Sequence, residues 1–214
     1  MVKILGVCGS PRNAATEYVL KQALEAAAGV EGVETDLITL RGKKINFCIH
    51  CDKCVRENSN RCTLHHDDMD ELYDRFYNAD GYIIASPVYE MGVTGQLATF
   101  FNRFRGTYTI LRENPSYFSK KVGGAIAVGG TRNGGQECTI NCIMGFYHTH
   151  GITVVNGGLG CYGGAAVWSQ DRKAQGAQED LFGLKNARLI GEKVASMAKI
   201  IKTGELAQQT TAIG

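Results

Sequence analysis

The chain has 214 residues, 44% hydrophobic and 21% charged, a composition that supports one folded domain with a sizeable core. Its 23 basic and 21 acidic residues leave a net charge of +2 with no basic stripe, which argues against nucleic acid as a partner. Residues 1–7 are too short an apolar run for a signal peptide and no window reaches a membrane span, so the expectation is a soluble, cytoplasmic protein without a membrane partner.

Residues 3–8 form an apolar run closed by Gly9-Ser10-Pro11, the pattern of a buried strand leaving its sheet through a turn. From Thr16 the spacing becomes helical, with Leu20, Leu24 and Ala27 opposite Lys21 and Glu25. Residues 33–40 read as a second strand. After a cysteine-rich stretch, Asp67 is placed to cap a helix in which Met69, Leu72, Tyr73 and Phe76 share a face. Residues 81–86 make a third strand, 94–105 a helix, 122–128 a fourth strand, 137–148 a helix and 152–155 a short fifth strand. Residues 157–164 read as an irregular glycine-rich loop. A last helix over 184–202 turns Ala187, Ile190, Val194, Met197 and Ile201 inward, and the tail over 205–214 is expected to be loose. Such alternation implies an α/β fold: a doubly wound, five-stranded parallel sheet with a cysteine-rich loop insertion at 45–66, all within one domain over 1–204. Ligands bind such sheets beyond the carboxyl ends of the strands.

Three segments leave that edge. The first, residues 9–16, opens a helix whose free amides attract phosphate; Ser10 and Thr16 add hydroxyls and Arg12 a guanidinium. By itself it is equally a capped turn. The second, residues 86–96, offers Pro87, Val88, Tyr89, Met91 and Gly92 to a flat ring, although Tyr89 and Met91 would also serve merely to cover the core. The third, residues 129–137, has four glycines among nine residues, which suits close approach of backbone to a ligand.

Together, Gly9-Ser10-Pro11-Arg12, Ser86-Pro87-Val88-Tyr89, Thr94-Gly95-Gln96-Leu97 and the Gly-Gly-Gln-Glu at 134–137 resemble the flavodoxin-like NADPH-dependent FMN reductase superfamily over most of the chain. The resemblance implies a flavodoxin-like sheet and bound FMN. Its phosphate would lie at Ser10, Arg12, Asn13 and Thr16, and its isoalloxazine against Pro87, Val88, Tyr89, Met91, Gly92, Gly130, Thr131, Gly134 and Gly135. Ala14-Ala15 stand where many members of the superfamily have Gly-Asn.

Cys48, Cys51, Cys54 and Cys62 form a C-x2-C-x2-C-x7-C pattern that places four thiols within fifteen residues. Thiolates are the usual ligands of a [4Fe-4S] cluster; zinc, which favours separated C-x2-C pairs, and unligated cysteines are the alternatives. A compact motif between the second strand and the following helix resembles the iron-sulfur flavoprotein family, although its last gap is long. That resemblance implies one FMN and one [4Fe-4S] cluster per subunit, a homo-oligomer (dimer or tetramer), and electron transfer from a donor such as ferredoxin through cluster and FMN to an acceptor. No catalytic acid or base is assigned. Competing functions are an NAD(P)H-dependent FMN or quinone reductase without a cluster, and a noncatalytic flavodoxin-like electron carrier. Cys8, Cys138, Cys142 and Cys161 are given no chemistry, and the five histidines are read as solvated or structural.

Overall fold

The computed structural model describes the backbone of residues 1–213 and the side chains of residues 1–205. Five strands, β1 (Val2–Cys8), β2 (Val33–Thr39), β3 (Gly81–Pro87), β4 (Val122–Gly129) and β5 (Thr153–Val154), lie in the order β2-β1-β3-β4-β5, all parallel. The central strands β3 and β4 are buried along their whole length because helices cover both faces, which explains their continuous apolar sequences. Edge strand β2 instead exposes Thr35 and Asp36 and half-buries Glu34, and its charges discourage pairing with another chain.

A sixth strand, β6 (Ala165–Trp168), corrects the five-strand expectation. It pairs with Ile126, Ala127, Val128 and Gly129, whereas β5 pairs with Val122 and Gly123, so two short strands share one edge of β4. Helices α1 (Ala15–Ala28), α7 (Lys173–Glu179) and α8 (Leu181–Ile213) cover one face, where Val19, Ala23, Ile190 and Val194 pack on Ile4, Ile83 and Ile126. On the other face lie α3 (Asp70–Tyr77), α4 (Gly95–Asn102) and α6 (Gln136–His150), with a core rich in aromatics. There Phe76 stacks on Tyr82 at 4.3 Å and meets Phe104 at 4.4 Å between ring centroids. Each such ring contributes about 1.5–3 kcal/mol by leaving water. Tyr147 sits directly on β4: a Cβ at Gly123 would come within 2.7 Å of its ring, and its hydroxyl donates to the Gly124 carbonyl at 3.0 Å.

The helix expected over 94–105 is α4 followed by a 3-10 turn (Arg103–Gly106) and then α5 (Thr107–Glu113), with the break at Phe104. Asp67 does not cap α3 directly. Its Oδ1 accepts from the Met69 N–H at 3.1 Å, three residues before the helix proper begins at Asp70. Helix α8 is assigned through Ile213, so the backbone over 205–213 is helical where a loose tail was expected; Gly214 lies outside the described residues. Among the described residues, no helix is long and apolar enough to cross a membrane.

Candidate flavin cleft and cysteine pocket

Because β1, β3 and β4 run in one direction, the segments after Cys8, Pro87 and Gly129 emerge at one edge. Ser10, Arg12, Thr16, Pro87, Val88, Tyr89 and Gly130 line a cleft there of about 250 Å³. Thr16 is buried in the first turn of α1, whose free amides open toward the cleft, while Arg12 and Asn13 are exposed. The Ser10 hydroxyl donates to the Arg12 carbonyl at 2.8 Å and accepts the Arg12 N–H, so it shapes the loop as much as it offers a donor. Asn13, Met91, Gly92, Thr131, Gly134 and Gly135 do not line the cleft.

Most of those residues hold the loops together instead. Glu90 and Met91 both have positive φ in a two-residue turn closed by reciprocal Tyr89 and Gly92 bonds, a left-handed geometry that costs a non-glycine residue about 1–2 kcal/mol. Gly135, at φ +103, abuts Met91: a Cβ there would lie 2.9 Å from the Met91 Cα. Thr139 bridges the same loops by donating to the Gly92 carbonyl at 3.0 Å. Gln136 accepts the Gly134 N–H and donates to the Thr131 carbonyl, which fixes the glycine-rich segment. Thr94 ties the first loop to the second. Its hydroxyl donates to the Gly9 carbonyl at 2.6 Å and accepts the Leu97 N–H at 3.2 Å, so it also caps α4.

Ala14, Ala15, Val128, Ser169, Asp171 and Lys173 complete the cleft, and of these Ser169, Asp171 and Lys173 were not foreseen there. The last three arrive on the segment after β6, clasped to the third loop by Trp168 Nε1 donating to the Gly130 carbonyl at 2.8 Å and by the Ser169 N–H donating to Gly129.

Cys48, Cys51, Cys54 and Cys62 line a second pocket with Ile49, Leu64, His65, Arg103 and Arg105. The segment that carries them leaves the carboxyl end of β2, wraps through the short helix α2 (Lys53–Arg56) and is pinned to its surroundings at several points. The Cys62 N–H donates to the Tyr73 hydroxyl at 3.2 Å, and that hydroxyl donates to the Arg103 carbonyl at 2.9 Å. Arg105 Nε donates to Asp52 at 2.8 Å, and Arg56 to the Cys51 carbonyl. Gly106 allows the closest approach, since a Cβ there would stand 2.7 Å from the Asn60 backbone. Behind the pocket, Asp67 Oδ2 accepts from the Asn46 N–H, the Asn46 amide and Arg103 Nη1. Burial works against ionisation of Asp67, but Arg103 and these N–H donors outweigh it and hold the carboxyl at about 2.

The NADPH-dependent FMN reductase family matches residues 2–163. The chain is 42% identical over 188 residues to an iron-sulfur flavoprotein of Methanocaldococcus jannaschii, covering 87% of this chain and 92% of the relative. The chain belongs to the iron-sulfur flavoprotein family. It is accordingly an FMN-dependent oxidoreductase of the flavodoxin-like class. An iron-sulfur flavoprotein of Archaeoglobus fulgidus is also 42% identical, over 91% of this chain and 96% of the relative. Among solved structures, a flavone reductase matches with a TM-score of 0.67 at 25% identity; 94% of this chain aligns, and it spans 64% of that longer chain. An azoreductase from Bacillus anthracis matches with a TM-score of 0.65 at 13% identity, over 90% of this chain and 100% of the other, which bears on the fold alone.

The cleft suits this family's cofactor: it joins a helix N-terminus, Arg12 and Lys173 for a phosphate to Pro87, Val88 and Tyr89 for a ring. The cysteine pocket suits a cationic centre. Burial, reinforced by the neighbouring Cys62, Cys48 and Cys51, pushes the Cys54 thiol up, so four thiolates here call for positive charge. The His50 N–H points to Cys48 Sγ at 3.3 Å and the His65 N–H to Cys62 Sγ at 3.5 Å, as donors to ligand sulfurs do. Among the described residues, however, no group of three or more His, Cys, Asp or Glu side chains is arranged to hold a metal ion. Elsewhere, burial pushes the Cys8 thiol up to about 11, Cys161 is buried, and Cys138 and Cys142 are exposed on α6.

Proposed function

We propose that this chain holds FMN in the cleft beyond β1, β3 and β4 and a [4Fe-4S] cluster on Cys48, Cys51, Cys54 and Cys62, and passes electrons from a one-electron donor such as ferredoxin to an acceptor. The observation that carries the reading is that the four cysteines of the C-x2-C-x2-C-x7-C run, all of them free, line one pocket. When bound, the cluster supplies one-electron exchange and FMN both one- and two-electron exchange. The chain supplies placement. Arg12, Lys173 and the start of α1 draw the phosphate, and Val88 and Tyr89 offer apolar surface to the ring. Of the four cysteines, Cys54 is buried and Cys51 exposed.

We also infer a homo-oligomer, dimer or tetramer, supported by Phe47, Ile49, Tyr89 and Met91, which stay exposed beside the two sites. Eight free thiols fit a reducing compartment such as the cytoplasm. Anaerobic purification tests the reading: about four iron, four sulfide and one FMN per chain are expected. A wild-type protein that holds FMN but neither iron nor sulfide after anaerobic reconstitution would end it. The match to the NADPH-dependent FMN reductases favours a second reading, direct hydride uptake from NADPH, which anaerobic stopped-flow absorbance would reveal as rapid flavin bleaching.

A further inference from the structure

Arg103 is the largest fully buried side chain described, it is one of the residues that line the cysteine pocket, and Cys62 is among the groups whose charge acts on it. Its Nη1 donates to the Asn46 carbonyl at 2.8 Å and to Asp67 Oδ2 at 2.7 Å. Its Nε and Nη2 are buried and have no partner. Unmet donors are rare in native interiors, and rarer on a group that keeps its charge at every physiological pH. Asp67 does not relieve them, because Oδ2 is shared among three donors and Oδ1 takes the Met69 N–H. Arg105, the other guanidinium lining the pocket, is paired with Asp52. The acceptors that Arg103 lacks are those a sulfur-rich anion in the pocket would bring.

We propose that Arg103 sets the reduction potential of the cluster, donating Nε–H and Nη2–H to its sulfurs and placing one fixed positive charge beside it. This rests on the cluster reading above. Reduction adds one electron and one negative charge to the centre and moves no proton on Arg103, so the guanidinium favours the reduced form and raises the potential. Asp67, behind Arg103, acts with the opposite sign and from farther away.

The experiment is an EPR-monitored redox titration of anaerobically purified wild type, Arg103→Met, Arg103→Lys and Asp67→Asn, each with iron and sulfide analysis. Arg103→Met and Asp67→Asn break the same ion pair, so a purely structural role moves both potentials the same way. The charge role moves them apart. Arg103→Met should disfavour reduction about tenfold or more, about 59 mV downward for one electron. Asp67→Asn should shift the potential upward by less, and Arg103→Lys should stay nearer wild type than Arg103→Met. A loaded wild type with both pair-breaking variants shifting together, or with Arg103→Met unshifted, overturns this inference and leaves the cluster reading intact. A wild type that never binds iron and sulfide overturns both. Should Arg103→Met not fold or load, the upward shift in Asp67→Asn and the small shift in Arg103→Lys decide the matter.

Discussion

Replacing Thr94 by Val isolates the link between the first two loops of the cleft, because Val keeps the shape and removes only the hydroxyl. Two bonds go: the N-cap bond from the Leu97 N–H and the bond to the Gly9 carbonyl. Loss of a threonine N-cap costs about 1 kcal/mol. Leaving a buried carbonyl without its donor costs about 1–3 kcal/mol more. Thr94 is fully buried and Gly9 lies in the interior, so water cannot replace the bond without opening the loop. The expected loss is about 2–4 kcal/mol, within the 5–15 kcal/mol of a typical domain, so the variant should fold. Urea denaturation of FMN-free wild type, Thr94→Val and Thr94→Ser would measure it, and fluorescence titration would follow FMN affinity. Thr94→Ser should recover most of the stability. A Thr94→Val protein within about 0.5 kcal/mol of wild type, or a Thr94→Ser protein as damaged as Thr94→Val, would refute the reasoning.

Gly123→Ala drives a methyl against Tyr147, whose hydroxyl is already tied to Gly124, and should cost about 1–3 kcal/mol, read as a lower Tm by calorimetry. Arg12→Ala removes a guanidinium from the cleft where we propose the FMN phosphate binds and should weaken FMN binding about tenfold or more in a fluorescence titration, with the gap narrowing as salt rises. Asp67 is 6% exposed at its side chain and ionises in the folded protein near 2, against 3.8 for the free group. Its folded value is depressed, so its contribution of about 2 kcal/mol is present above pH 3.8 and fades as pH falls toward 2. Denaturation curves of Asp67→Asn should therefore vary less than wild type across that window, and parallel curves would contradict the assignment.

The apolar runs of β1, β3 and β4 were legible because a strand covered on both faces needs nothing but apolar residues. The loops that follow them were legible for the converse reason, since glycine and proline break those runs abruptly. Strand β6 was not, because Ala165–Trp168 is four residues long, follows a glycine-rich stretch and alternates too briefly to register. With it went Ser169, Asp171 and Lys173, the far wall of the cleft. Arg103 was hidden more deeply. An arginine in a helical pattern reads as a solvated face, and what draws it inside is a carboxylate 36 residues earlier in the chain. Asp67 itself was read as a cap for α3; it bonds the Met69 N–H ahead of that helix instead, and its larger role needed the Arg103 partner to be seen. The cysteines could be grouped from spacing alone, whereas Arg103, which lines their pocket and is joined to Cys62 through the Tyr73 hydroxyl, comes from another part of the chain.

The doubled edge of β4 also separates two tasks that a single fifth strand would fuse. Two residues of β5 close the lower part of the sheet, and four residues of β6 serve the cofactor end. Between them the chain makes an excursion through Asn156 to Gly164, where Leu159 stands wholly in solvent. Segments of that kind tolerate insertion and replacement. A protein engineer could therefore graft a tether or an electrode-binding peptide at the exposed Leu159 tip while the cleft and the cysteine pocket keep their walls.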